Sequence, residues 1–175
     1  MYLKNYTSEV PVSETVGKIE RVLLRCGVTG IAKEYAGASG KVLALTFAIK
    51  QEDRLISIRL PVEEERALQA LWLDYADGYE LSKDGQSVQS ASKKKRRHEF
   101  REQAARTAWK IVQDWIEIQM SMISLKQADV LQVFLPYVWN GERTYYQALQ
   151  ESNFRGLLPA PSGAPGSETY GKEGE

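Results

Sequence analysis

The densest chemistry in the chain is a run of five consecutive cations, Lys93, Lys94, Lys95, Arg96 and Arg97, with Arg101 four residues further on. Eight Lys and Arg side chains between Lys93 and Lys110 meet only Glu99 and Glu102, a local charge of +6 in a chain whose net charge is zero. Cations at this density can neutralise successive phosphates and release their counterions, so the segment is the candidate nucleic-acid grip. Lys33, Lys41 and Arg59 are weaker candidates for phosphate contact. Trp109, placed toward the edge of its helix, is the candidate ring for stacking on bases. Two plainer readings compete. The run could be a solvated helix end, or it could pair within the molecule with Glu63, Glu64 and Glu65. Those acids lie in the stretch Gln51–Glu80, whose charge is −5, and opposed patches can orient a partner or each other.

The remaining reactive residues form no constellation. His98 is the only histidine and Cys26 the only cysteine, so neither has companions at metal-ligand spacing and no nucleophile–histidine–acid set can be assembled. The acids at 63–65 fit the positive end of a helix better than a metal site. "GASGK", Gly37 to Lys41, resembles a phosphate loop but lacks its spacing and the Ser or Thr after the lysine, and it joins two strands. It reads as a hairpin turn. No catalytic residue, metal or cofactor is predicted. The lone cysteine excludes an intrachain disulfide, MYLKNYTSEV has no long apolar stretch, and no run approaches a membrane span, so a soluble cytoplasmic protein is expected.

Hydrophobic periodicity supplies the elements that must position these groups. Ser13 caps a helix over about 14–26, with Val16, Ile19, Val22, Leu23 and Cys26 on one face and Gly27 as its stop. Strands follow at 29–35, 41–50 and 54–60, joined by short turns as an antiparallel meander. In the middle strand Leu43, Leu45, Phe47 and Ile49 alternate on one face, with Val42, Ala44, Thr46 and Ala48 opposite. Pro61 ends the sheet. A second helix opens at the 63–65 acids, buries Leu68, Leu71, Trp72 and Tyr75, and breaks at Asp77–Gly78, where a mobile loop runs to residue 92. A long helix over about 93–125 buries Ala104, Ala105, Ala108, Ile111, Val112, Trp115, Met122 and Ile123. A shorter helix spans 127–135, with Ala128, Leu131, Phe134 and Leu135 inward. Asn140–Gly141 marks a two-residue hairpin, and Thr144 with Gln147 forms a capping box for a last helix at 145–151. Residues 1–158 make one domain, and 159–175, rich in Pro, Gly and Ser, form a disordered tail.

Helical phase gives the basic run an odd placement. Lys94, Arg97 and Arg101 project from the same side as Ala104, Ala108, Val112 and Trp115. A buried stripe cannot hold three unpaired cations, so the first turns must leave the core, fray or line an open groove.

The ordered segments "VPVSETVGKIERVLLRCGVTGIAKEY", "KVLALTFAI", "ISIRLPV", "ARTAWKIVQDWIEIQMSMI" and "VFLPYVWNGERTYYQAL" resemble a group of small proteins of bacteriophages, prophages and mobile elements with no established activity. The likeness covers about residues 8–158, apart from the loop at 81–92. It implies a setting of DNA replication, recombination or host takeover. The element order is also similar to that of Rad52-type single-strand annealing proteins, a likeness of topology carried by no residue motif.

The expected fold is α+β: a three-stranded antiparallel meander packed by helices, with a long helix as spine, a small hairpin and a short final helix. The expected function is non-catalytic binding of nucleic acid, single-stranded or processed DNA foremost. The alternative is a host-takeover or anti-defence factor that binds a host protein or sequesters a nucleotide signal. The apolar edge of the long helix leaves room for a homo-oligomer.

Overall fold

The computed structural model describes residues 3–84 and 95–155. Lys93, Lys94, positions 85–92 of the expected loop and the expected tail lie outside them. The architecture is α+β, with one three-stranded antiparallel sheet of order β1-β2-β3. Its strands are β1 (Gly30–Ala36), β2 (Lys41–Gln51) and β3 (Arg54–Arg59), and its helices are α1 (Val12–Arg25), α2 (Glu64–Asp84), α3 (Arg101–Ser124), α4 (Val130–Phe134) and α5 (Tyr145–Glu151). Helix α3 is the spine, packed against both α1 and α2.

The sheet contains a register shift that periodicity alone does not reveal. Glu34 pairs with Ala44 but Tyr35 pairs with Val42, so Leu43 is the extra residue of a bulge. A bulge re-aims every side chain beyond it. Val42 therefore joins Leu45, Phe47 and Ile49 in the core, while Leu43 is 50% exposed. This overturns the simple alternation expected for Leu43. The core face meets Val16, Ile19 and Leu23 of α1 and Trp109, Val112, Ile116 and Met120 of α3. Phe134 closes one end, edge-on to Phe47 at 5.4 Å and to Trp115 at 5.5 Å.

Helix boundaries follow local chemistry, with corrections. Helix α1 starts one residue before Ser13, after Pro11, and has no side-chain cap. Cys26 is the exposed residue that ends it, followed by Gly27 at φ +80°. Helix α2 does not break at Asp77–Gly78 but runs to Asp84; one glycine costs only about 1 kcal/mol in a helix interior, which neighbouring helix formers outweigh. Helix α3 starts later than expected. Arg96 is extended (ψ 150°), Arg97–Phe100 make one 3-10 turn, and the α-helix begins at Arg101. Cations oppose the positive end of a helix dipole, so the chain enters the helix after most of its basic run, with Glu99 accepting from the Arg96 amide at 2.8 Å.

The buried stripe of α3 is rotated from the expected one. Trp109, Ile116 and Met120 are core residues, Met122 is exposed, and Ile111 and Trp115 are half-buried. The N-terminal segment is laced to the same helix. Gln103 Nε2 donates to the carbonyls of Tyr6 (2.8 Å) and Ser8 (3.0 Å), and Thr107 Oγ1 donates to that of Asn5. Asp114 accepts from Asn5 Nδ2 at 3.0 Å and pairs with Lys4 and Lys110. Burial pushes the Asp114 carboxyl up, but these bonds outweigh it and lower it from 3.8 to about 2.

Helix α4 is shorter than expected and is capped by Asp129; of its four expected inward residues only Phe134 is fully buried, and Leu135 is exposed. The hairpin at Asn140–Gly141 is a four-residue loop closed by one bridge, Trp139 to Thr144. Thr144 and Gln147 form the expected capping box on α5. Trp139 donates its amide to the Ser57 carbonyl at 2.7 Å, so this segment covers the β3 edge of the sheet.

Candidate nucleic-acid interface

The start of α3 meets the start of α2 at a charged corner. Arg97 pairs with Glu65, and Lys41, at the start of β2, pairs with Glu64. Glu64 also accepts from the indole nitrogen of Trp109 at 3.1 Å. One carboxylate thus ties together a strand, the first turn of α2 and the core ring of α3. Acids in that first turn also complement the helix dipole. The intramolecular pairing weighed between the basic run and Glu63–Glu65 is therefore real for Arg97, and Lys41, outside the run, pairs with the same acidic turn.

Trp109 is not at an edge. Its exposure is 0%, with only its N–H satisfied by Glu64. A ring enclosed by α1, the sheet and α2 cannot stack on a base, so Trp109 leaves the candidate interface. Its place beside the cations is taken by Trp72, Tyr75 and Phe100, whose ring centroids lie 5.2–6.2 Å apart. Lys95 is anchored there: its amide donates to the Tyr75 hydroxyl at 3.0 Å, and its ammonium lies 5.8 Å from the Phe100 ring centre. The basic segment leaves the core, as helical phase requires, and docks through aromatic rings.

Arg96 and Arg101 are exposed, and among the described residues no carboxylate pairs with them or with Lys95. Arg101 and Lys41 line a small cleft with Glu64 and Glu65. They also line a neighbouring one of about 410 Å³ that includes Ser39, Gly40 and Arg106. The Gly37–Ser39 segment is a 3-10 turn in which Ser39 Oγ donates to the Ala36 carbonyl at 2.7 Å.

The sheet's other two candidates do not join this corner. Lys33 lies opposite Leu45, on the core face, and pairs with Glu20 of α1 at 2.7 Å; that hydrogen bond raises the lysine's pKa. Arg59 lies opposite Thr46, on the other face. Both of its terminal nitrogens bond Glu34, one of them at 2.9 Å. That pairing lowers the Glu34 pKa and raises that of Arg59. The Arg59 guanidinium lies over the Trp139 ring, 4.6 Å from its centre. Lys33 and Arg59 are thus neutralised locally and separated by the sheet, because adjacent β positions face opposite ways.

Trp139 and Arg59 border a cleft of about 730 Å³ between Leu60–Arg66 and residues 136–150. Sequence reasoning missed this site. The visible signal in the sequence is the pair Tyr145–Tyr146 just after the α5 cap: both are exposed (42% and 47%), and Tyr146 lines the cleft. Among the described residues no group of three or more His, Cys, Asp or Glu side chains is placed to hold a metal ion, and no helix is long and apolar enough to cross a membrane. Comparisons of the chain with protein-family models, with curated proteins and with solved structures found no match.

Proposed function

We propose that this is a non-catalytic accessory protein of a phage or mobile element that binds nucleic acid, single-stranded or processed DNA foremost, at the corner where α3 begins. The observation that carries this reading is the contrast in pairing. Lys33, Lys41, Arg59 and Arg97 have carboxylate partners, whereas the exposed Lys95, Arg96 and Arg101 have none among the described residues. Cations left unpaired on the segment that leads into α3 and at its first residue suit a polyanion, and Lys93 and Lys94 continue the same run in sequence. Lys41 and Arg97 are already paired and add less. Lys33 and Arg59 play no part in phosphate contact at this corner.

Fluorescence anisotropy with labelled single- and double-stranded oligonucleotides over a salt series tests the proposal. Affinity should fall linearly on a log–log plot, with a slope near 0.7 per neutralised phosphate for single strands. No binding at low salt, or binding unchanged when residues 93–97 become alanine, would sink it.

A protein partner is the second reading. The internal pairing of four basic candidates and the zero net charge favour it over a general DNA coat. A host protein recovered with the tagged chain after nuclease treatment, in an assay where oligonucleotides fail to bind, would select it.

A further inference from the structure

The 730 Å³ cleft beside β3 has the size of an ordinary small-ligand site and an unusual wall. Glu34 holds Arg59 by both terminal nitrogens, and the guanidinium rests over Trp139. A bidentate clamp fixes the plane of a guanidinium as well as its position. Because Glu34 already balances its charge, Arg59 is poorly suited to hold a phosphate. A flat, fixed, neutralised guanidinium is instead a stacking surface, as are exposed aromatic rings. Tyr146 lines the same cleft and is 47% exposed. Gln147 uses its Oε1 to cap α5. Among the described residues its Nε2 and the whole Gln150 amide make no hydrogen bond. Planar surfaces beside free amide donors and acceptors match a nucleobase, whose face stacks and whose edge both donates and accepts.

We propose that this cleft takes one unstacked nucleobase of a bound single strand, seated against Tyr146 and the Arg59–Trp139 platform, with Gln150 reading its edge. The inference rests on the nucleic-acid reading and adds to it the part of the ligand that the cations do not touch. The two sites are neighbours. Glu63 and Arg66 line this cleft, while Glu64 and Glu65 of the same turn line the one holding Lys41 and Arg101. A strand gripped at the start of α3 would pass over the Glu63–Arg66 segment to reach the cleft.

The test compares a short oligothymidylate with an abasic strand carrying the same number of phosphates, on the full chain. The wild-type protein should prefer the oligothymidylate. Tyr146→Ala should weaken its binding by about 5- to 150-fold, the range for losing a stacked base, with the salt slope and the abasic affinity unchanged. Tyr146→Phe should restore most of the loss, which separates stacking from a defect in folding. Equal affinity for the two strands in the wild type, or no effect of Tyr146→Ala, would overturn the cleft proposal while leaving the phosphate grip standing. Failure of every oligonucleotide to bind would instead remove the parent reading. Titration with thymidine monophosphate then decides the cleft alone: saturable binding that Tyr146→Ala abolishes supports it, and no binding overturns it.

Discussion

Two corners of the molecule are built from the same parts and end differently. At the start of α3, Trp109, Glu64 and Lys41 form one group; behind β3, Trp139, Glu34 and Arg59 form another. In each, an acid neutralises a cation of the sheet beside a tryptophan. In the first the ring is sealed and the acid bonds its N–H, so the group serves the core. In the second the cation lies over the ring and the ring borders open space, so the group presents a surface. Burial rather than residue type decides which one can meet a ligand. The cations that stay free are those that the chain leaves outside both groups.

The largest effect expected from this contrast is on stability. Trp109→Ala should destabilise the protein by about 3–5 kcal/mol, the range for emptying a core of a large aromatic. Trp139→Ala, at a half-buried site, should cost about 1–2 kcal/mol. Chemical denaturation of both variants measures this, and equal losses would break the comparison.

The next effect is on binding. Replacing Lys93–Arg97 with alanine should reduce single-strand affinity at low salt by about tenfold or more. The salt slope should fall by roughly 0.7 for each phosphate that is no longer neutralised. Arg59→Ala should leave the slope unchanged, because Glu34 already balances that charge. A reduced slope in the Arg59 variant would make the two corners alike.

Acid separates the packed side of α3 from the sheet surface. Asp114 has a folded pKa near 2, against 3.8 for an ordinary aspartate. A depressed carboxylate stabilises the fold above its unfolded pKa, and the contribution is lost as pH falls from about 4 to about 2. It should be worth about 2 kcal/mol at neutral pH and vanish in Asp114→Asn, whose stability curve should be flatter over that window. Glu34 is also depressed, but it is exposed and screened, so Glu34→Gln should barely change the acid limb. Stability against pH for the two variants checks the difference.

The smallest effect should come from Glu65→Gln. It frees Arg97 from a solvent-exposed pair worth under about 1 kcal/mol, so single-strand affinity should rise by only about two- to fivefold. A loss of affinity would mean that the pair orders the basic segment for binding rather than competing with it.

Much of this could be read from local pattern. The meander, the order of helices around it and the capping box at Thr144 and Gln147 all follow from alternation, helical spacing and cap chemistry. Each is settled within a few neighbouring residues. The basic run was equally visible, but its place before α3 was not: the long helix was expected from about residue 93, and it begins at Arg101. The candidate site was legible only in part. Lys93–Arg97 and Arg101 can be picked out by density alone. Whether Lys33, Lys41 and Arg59 are free cannot, because their partners Glu20, Glu64 and Glu34 lie far away in the chain.

Sequence by itself determined the α+β class and the place of the charge, since periodicity and composition are local properties of the chain. Tertiary structure alone decided the rest. The bulge at Leu43 turned Val42 inward, the enclosure of α3 by three neighbours buried Trp109, and strand register set Arg59 and Lys33 on opposite faces of the sheet. Each of these depends on which distant segment lies alongside. That choice is made by the packing of the whole core, where a shift of one residue exchanges the two faces of a strand.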